Sequence, residues 1–126
     1  MVSTDPPGLD VETIHRWLST DAHWATGRAR DVVDRAIARS TSFAAYDGGR
    51  LVGYARVVTD RSTFAWLCDV YVAPERRGEG VGTALVEAVH AQLAGWGVKR
   101  VLLATEDAHG VYAKLGFAAP EDLRRS

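Results

Sequence analysis

Between Phe64 and Ala104 the spacing of apolar residues changes twice, and this double change restricts the fold more than any other stretch of the chain. Phe64 to Val72 is a β-favouring run. From Gly80 onward, Val81, Ala84, Leu85, Ala88, Val89 and Leu93 recur at helical spacing, the apolar stripe of a helix that packs on a sheet. Gly95-Trp96-Gly97 ends that helix, and Val98 to Ala104 returns to an apolar β-type run. Two strands separated by a helix pair in parallel through a right-handed crossover.

The residues before this unit predict antiparallel structure. Phe43 to Tyr46 and Leu51 to Val58 are β-favouring runs joined by Asp47-Gly48-Gly49-Arg50, a hairpin signal because Asp and Gly tolerate positive φ. A second turn is expected at Asp60-Arg61-Ser62. Two helices precede the hairpin, one with Val11, Ile14, Trp17 and Leu18 behind an Asp10 N-cap, the other with Val32, Val33, Ala36 and Ile37. A short last helix is predicted over Ala108 to Leu115, opened by Asp107 and closed by Gly116. The 126 residues, 47% of them hydrophobic, make one domain over 1–126. Its expected class is α/β (α+β), with a mixed, mostly antiparallel central sheet flanked by helices.

A formal net charge of -1, from 15 basic and 16 acidic residues, supplies no broad attraction to nucleic acid or anionic membrane, so any anion site must be local. Cys68 is the only cysteine, which excludes an intrachain disulfide; its apolar setting predicts a packed thiol. The first residues lack a basic and apolar leader, and no window approaches the roughly 20 apolar residues of a membrane span. A cytoplasmic location is expected.

The local anion site is predicted at the strand-to-helix junction. Gly78, Gly80 and Gly82 remove side chains that would keep a ligand from the backbone, the helix start supplies unpaired N–H groups, and Arg76 and Arg77 add positive charge. A Walker A loop is excluded because no Gly-Lys-Ser/Thr triplet is present. A dinucleotide fingerprint is a poor second: its third glycine would fall on Thr83, although Glu106 stands about 26 residues after Gly80, near the usual acidic position. A plain connector with solvated arginines is the alternative without a ligand.

Arg77-x-x-Gly80-x-Gly82, following Asp69-Val70-Tyr71-Val72, resembles the acetyl-coenzyme A signature of the GNAT N-acetyltransferase superfamily. Ala108 to Phe117 resembles the later motif of that superfamily, in which a tyrosine lies one turn before a Gly-Phe pair. The resemblance covers about Phe43 to Phe117. It implies the GNAT fold, with β-strands splayed at the parallel pair; the chain is expected to depart from that fold at its ends, with only Met1 to Thr4 to supply the strand before the first helix and without a full final strand pair. It also implies acetyl-coenzyme A as cosubstrate, no metal, and a grip built from Val70, Tyr71, Val72, Arg76, Arg77, Gly78, Glu79, Gly80, Val81, Gly82 and Thr83. Tyr112 is, by the same resemblance, the general acid toward the coenzyme A sulfur; its alternative is a core tyrosine beside Leu115 and Phe117.

Acetyl transfer from a thioester needs a neutral amine, a donor for the carbonyl oxygen and a proton for the departing thiolate. The Val72 backbone N–H is the expected oxyanion donor. Asp69, on the opposite pleat from Val70, is the leading candidate base, directly or through water, with a structural hydrogen bond as its equal alternative. His109 is a weaker base candidate, and Glu106 and Asp107 read as helix-start carboxylates. Trp24, Arg28, Arg56, Asp60 and Thr105 are candidates for the acceptor pocket, each with a structural alternative as core aromatic, surface cation or turn former. Arg28 and Arg56 favour a small amine that carries a carboxylate or phosphate. Protein or peptide acetylation, an acyl-coenzyme A sensor without turnover, and an interaction domain are the competing functions. A second subunit that completes the substrate side, in a homodimer, is a further expectation.

Overall fold

The computed structural model describes residues 1–21 and 26–103. Among the described residues five strands form one sheet in the order β1-β2-β3-β4-β5: β1 Val2–Thr4, β2 Thr41–Asp47, β3 Arg50–Thr59, β4 Phe64–Val72 and β5 Arg100–Leu103. The first four pair antiparallel, and β5 pairs parallel with β4. The short first strand thus exists, with Val2 opposite Ala45. The described part of β5 ends opposite Leu67, so any splay nearer Val70 lies outside the described residues, as do the expected helix from Ala108 and the last strands.

Helix α1 spans Val11–Thr20, α2 Arg30–Ala38 and α3 Val81–Gly95. Asp10 caps α1 as its sequence position predicts: its carboxylate accepts from the Thr13 N–H at 3.1 Å and the Thr13 hydroxyl at 2.7 Å. These bonds hold the Asp10 pKa below its ordinary value.

Each face of the sheet carries its own core. On one face Leu85, Val86, Val89 and Leu93 of α3 pack on Phe43, Ala55, Val57, Ala65 and Leu67. On the other, Ile14 and Leu18 of α1 join Ala44, Leu51, Tyr54 and Tyr71. Helix α3 comes close to the sheet at Gly53, where an added Cβ would lie 2.8 Å from Val81 Cγ1 and 3.0 Å from Leu85 Cδ1. Only glycine lets the first turn of α3 sit this low.

A β-bulge decides which side chains of β4 reach which core. Arg56 faces Asp69 and Val57 faces Leu67, leaving Cys68 as the extra residue. Ala65 and Leu67 face α3; beyond the bulge the parity reverses, so Val70 faces α3 while Tyr71 joins the α1 side. Asp69 therefore shares the α1 side with Tyr71. Cys68 itself is only half-buried, less packed than its apolar setting predicts because it is the bulge residue, and burial pushes its thiol pKa up.

Candidate active site

The junction after β4 has the form of an anion cradle. A single 3₁₀ turn, Pro74–Arg76, leads to Gly78 and Gly80, at φ +84° and +87°, backbone that side-chain-bearing residues rarely adopt. A Cβ added to either glycine would meet nothing within 4 Å, so the loop borders open space. The first intrahelical bond of α3 runs from the Ala84 N–H to the Gly80 carbonyl. The N–H groups of Val81, Gly82 and Thr83 precede it, and Gly80 has no side chain to cap them. Residues of this kind fit a diphosphate, with N–H donors and the positive end of a helix dipole facing a space that no described side chain fills.

The end of β4 offers its backbone to the same region. The Ala73 N–H donates to the Val52 carbonyl at 2.9 Å, and Gly53 stands opposite Val72. In an antiparallel ladder this alternation aims the N–H and C=O of Val72 away from β3. Arg77 Nε donates to that Val72 carbonyl at 3.2 Å. Gly82 brings α3 against the same residue, since a Cβ there would touch Val72 Cγ2 at 3.5 Å.

Both loop arginines are engaged with carboxylates. Arg76 bonds Glu79 at 3.1 Å and also bonds Asp47 of the hairpin. Arg77 reaches Asp21, at the end of α1, at 2.8 Å, and its guanidinium lies 5.2 Å from the centre of the Tyr71 ring. Tyr71 stacks on Trp17 at 5.2 Å and donates its hydroxyl to the same Asp21 oxygen at 2.6 Å. The Tyr71 hydroxyl and then Arg77 hold the Asp21 pKa below the usual carboxylate value. Burial, followed by the bond to Asp21, pushes the Tyr71 pKa up to about 12.

On the α1 side of the sheet the structure brings together Arg28, Arg56 and Asp69. Arg56 Nε lies 2.7 Å from Asp69 Oδ2, and Arg28 Nη1 lies 3.5 Å from the same oxygen. The Asp69 side chain is 1% exposed, Arg56 14% and Arg28 22%. Arg56 also donates to the Ser40 hydroxyl at 3.0 Å. Burial opposes the Arg56 charge, but the Asp69 carboxylate outweighs it and raises the guanidinium pKa. His15 Nε2–H donates to the Arg28 carbonyl at 2.9 Å, which fastens the approach to α2 onto α1.

Asp60 stands apart from this cluster, in the β3–β4 turn. Its Oδ1 accepts from the N–H groups of Ser62 at 2.9 Å and Thr63 at 2.8 Å, and its Oδ2 from the Thr63 hydroxyl. These bonds hold the Asp60 carboxyl well below the usual range and make it a turn former. Trp24, Thr105, Glu106, Asp107, His109 and Tyr112 lie outside the described residues. Sequence reasoning missed Gly53, Trp17 and Asp21. A glycine inside a strand-type run signals close backbone approach and could have flagged Gly53; nothing local marks Asp21 as the partner of Tyr71 and Arg77.

The acetyltransferase (GNAT) family model matches residues 11–117. FG08082 of Gibberella zeae is 32% identical over 134 residues, covering 90% of this chain and 76% of that protein. The crystal structure of xcc2953, a GNAT-family protein of Xanthomonas campestris pv. campestris, superposes with a TM-score of 0.86 at 43% identity, covering 100% of this chain and 90% of the other. A GNAT family acetyltransferase from Brucella melitensis, solved in complex with acetyl-CoA, shares the fold at a TM-score of 0.74 and 23% identity, covering 94% and 82% of the two chains.

Proposed function

The chain belongs to the acetyltransferase (GNAT) family, and on that premise we propose that it moves an acetyl group from acetyl-coenzyme A to a primary amine of a small molecule, by direct attack in a ternary complex. The observation that carries this reading is the left-handed Gly78–Gly80 loop opening on the uncapped N-terminus of α3, beside a Val72 backbone aimed away from β3.

Acetyl-coenzyme A supplies an activated thioester. Residues Gly78 to Thr83 hold its diphosphate through backbone N–H groups, with Arg77 turned to it from Asp21. The Val72 N–H donates to the carbonyl oxygen as negative charge builds there, a role whose loss costs roughly 10²- to 10³-fold in turnover in other enzymes. Asp69 takes the proton of the attacking amine, directly or through water, and Tyr112 donates one to the departing sulfur. The acceptor enters on the α1 side, past Arg28 and Arg56; Trp24 and Thr105 are assigned to the same acceptor pocket on their sequence positions alone. Action in the cytoplasm, on a small amine and without metal, nucleic acid or membrane, and a homodimer that completes the acceptor side belong to the same proposal.

Calorimetry with acetyl-coenzyme A and a thiol-release assay over amino acids, polyamines, aminoglycosides and peptides test it together. Micromolar binding with turnover of a small amine is expected. Binding without turnover of any amine would replace the enzyme with a sensor, and preference for peptides would replace the substrate class.

A further inference from the structure

Two arginines converge on one oxygen of one carboxylate. Arg56 and Arg28 lie 2.7 Å and 3.5 Å from Asp69 Oδ2, and all three side chains are largely withdrawn from water. Among the described residues no second carboxylate lies within ion-pairing distance of either guanidinium, and the other side-chain bond of Arg56 goes to the neutral hydroxyl of Ser40. Among the described residues the cluster therefore carries two guanidiniums against one carboxylate. Guanidinium does not deprotonate in proteins, so the surplus cannot be relieved by losing a proton. A partly buried, uncompensated cation is costly unless an anion or water meets it.

This charge is built from other residues than the diphosphate cradle, although Arg77 of the cradle reaches the same α1 side over Tyr71. It sits on the α1 face of the sheet, with Tyr54 and Tyr71, whereas α3 packs on the opposite face. Arg28 comes from the segment between α1 and α2 and is the more exposed of the pair, so it can be reached from outside. Asp69 holds Arg56 directly across the strand pair, one residue from Val70.

We propose that Arg28 and Arg56 form an oxyanion-binding pair for the acceptor, so that the amine acetylated by this protein carries a carboxylate or a phosphate. This rests on the acetyltransferase reading above. Asp69 is then also a positioning residue, which orients both guanidiniums, and the anion fixes the amine relative to the Val70–Val72 backbone.

The test has two arms. In the first, the Nε–H signals of Arg28 and Arg56 are followed by nitrogen NMR while sodium acetate or sodium phosphate replaces sodium chloride at constant ionic strength. A saturable displacement by acetate or by phosphate is expected, and the stronger of the two identifies the anion; no saturable displacement by either overturns the proposal whatever the turnover. In the second, amino acids and aminoalkyl phosphates are compared with their amides and alcohols in the thiol-release assay. The anionic member of each pair is expected to show kcat/KM about 30-fold higher. Arg28→Met should shrink that ratio to within about threefold, Arg28→Lys should keep part of it, and acetyl-coenzyme A affinity by calorimetry should stay unchanged. Neutral analogues used as well as the acids, or a preference that survives Arg28→Met, would refute the pairing. Failure to bind acetyl-coenzyme A, with the NMR displacement intact, rejects the transferase reading and leaves the anion pair standing.

Discussion

Gly53→Ala should damage both stability and cofactor binding, although one methyl group is added at a site remote in sequence from the glycine loop. The new Cβ would sit 2.8 Å from Val81 Cγ1, 3.0 Å from Leu85 Cδ1 and 3.3 Å from the Tyr71 carbonyl oxygen. Carbon atoms rest at about 3.5–4.0 Å, so the two must part by about 1 Å. Val81 is β-branched and held to one rotamer in a helix, and the Tyr71 oxygen belongs to the neighbouring strand. The first turn of α3 must therefore lift.

Overpacking of this kind costs about 1–3 kcal/mol. The reduced freedom of alanine in the unfolded chain returns about 0.4–1 kcal/mol, leaving a net loss of about 1–2 kcal/mol. For a domain of this size that lowers Tm by about 4–8 °C in scanning calorimetry. The lifted turn carries the N–H groups of Val81, Gly82 and Thr83, so titration calorimetry should show acetyl-coenzyme A binding weakened roughly tenfold or more. Adding Val81→Ala removes the clashing atom and should restore most of the affinity, a coupling that independent sites do not show. An unchanged Tm together with unchanged affinity in Gly53→Ala would refute the close-approach reasoning.

Much of the fold is written in local pattern. The bounds of β4, the Asp47–Arg50 hairpin, the Asp10 cap and the α3 stripe all follow from periods and turn residues that act within a few positions. What stayed hidden depends on register. The bulge at Cys68 has no compositional mark, yet it reverses the facing of Asp69 relative to Ala65 and Leu67. Arg28 and Arg56 could be singled out as a pair suited to an anion, but their meeting on Asp69 requires the pairing of β3 with β4 and the fastening of Arg28 by His15. The Trp17–Tyr71–Asp21–Arg77 contacts join residues up to 56 apart in sequence, beyond any periodic signal. The glycine loop was legible because positive φ is a local demand that glycine alone meets easily.

Tyr112→Phe is expected to retain acetyl-coenzyme A binding and lose turnover on the order of 10²-fold, and Asp69→Asn to lose turnover together with its pH dependence; full activity of either variant removes that residue from its proposed role. Asp21→Asn frees Arg77 from its half-exposed carboxylate partner and should tighten acetyl-coenzyme A binding roughly threefold by calorimetry, whereas weaker binding would show that Asp21 positions Arg77 for the diphosphate. At alkaline pH the buried Tyr54 should govern part of the stability. Its hydroxyl lies 2.9 Å from the Ser42 hydroxyl, and burial pushes its pKa up to about 12. In the unfolded chain a tyrosine ionises near about pH 10. Below that pH both states keep the proton and the contribution is fully present. Between about pH 10 and 12 the unfolded chain gives up a proton that the native state retains, so stability falls as pH rises, by up to about 1.4 kcal/mol per pH unit for this group. Urea unfolding of the protein and of Tyr54→Phe at pH 9, 10 and 11 isolates the effect, because groups common to both cancel in the difference. The wild-type protein must lose stability faster than Tyr54→Phe above pH 10; parallel curves would mean that the Tyr54 hydroxyl is not held in a dry core.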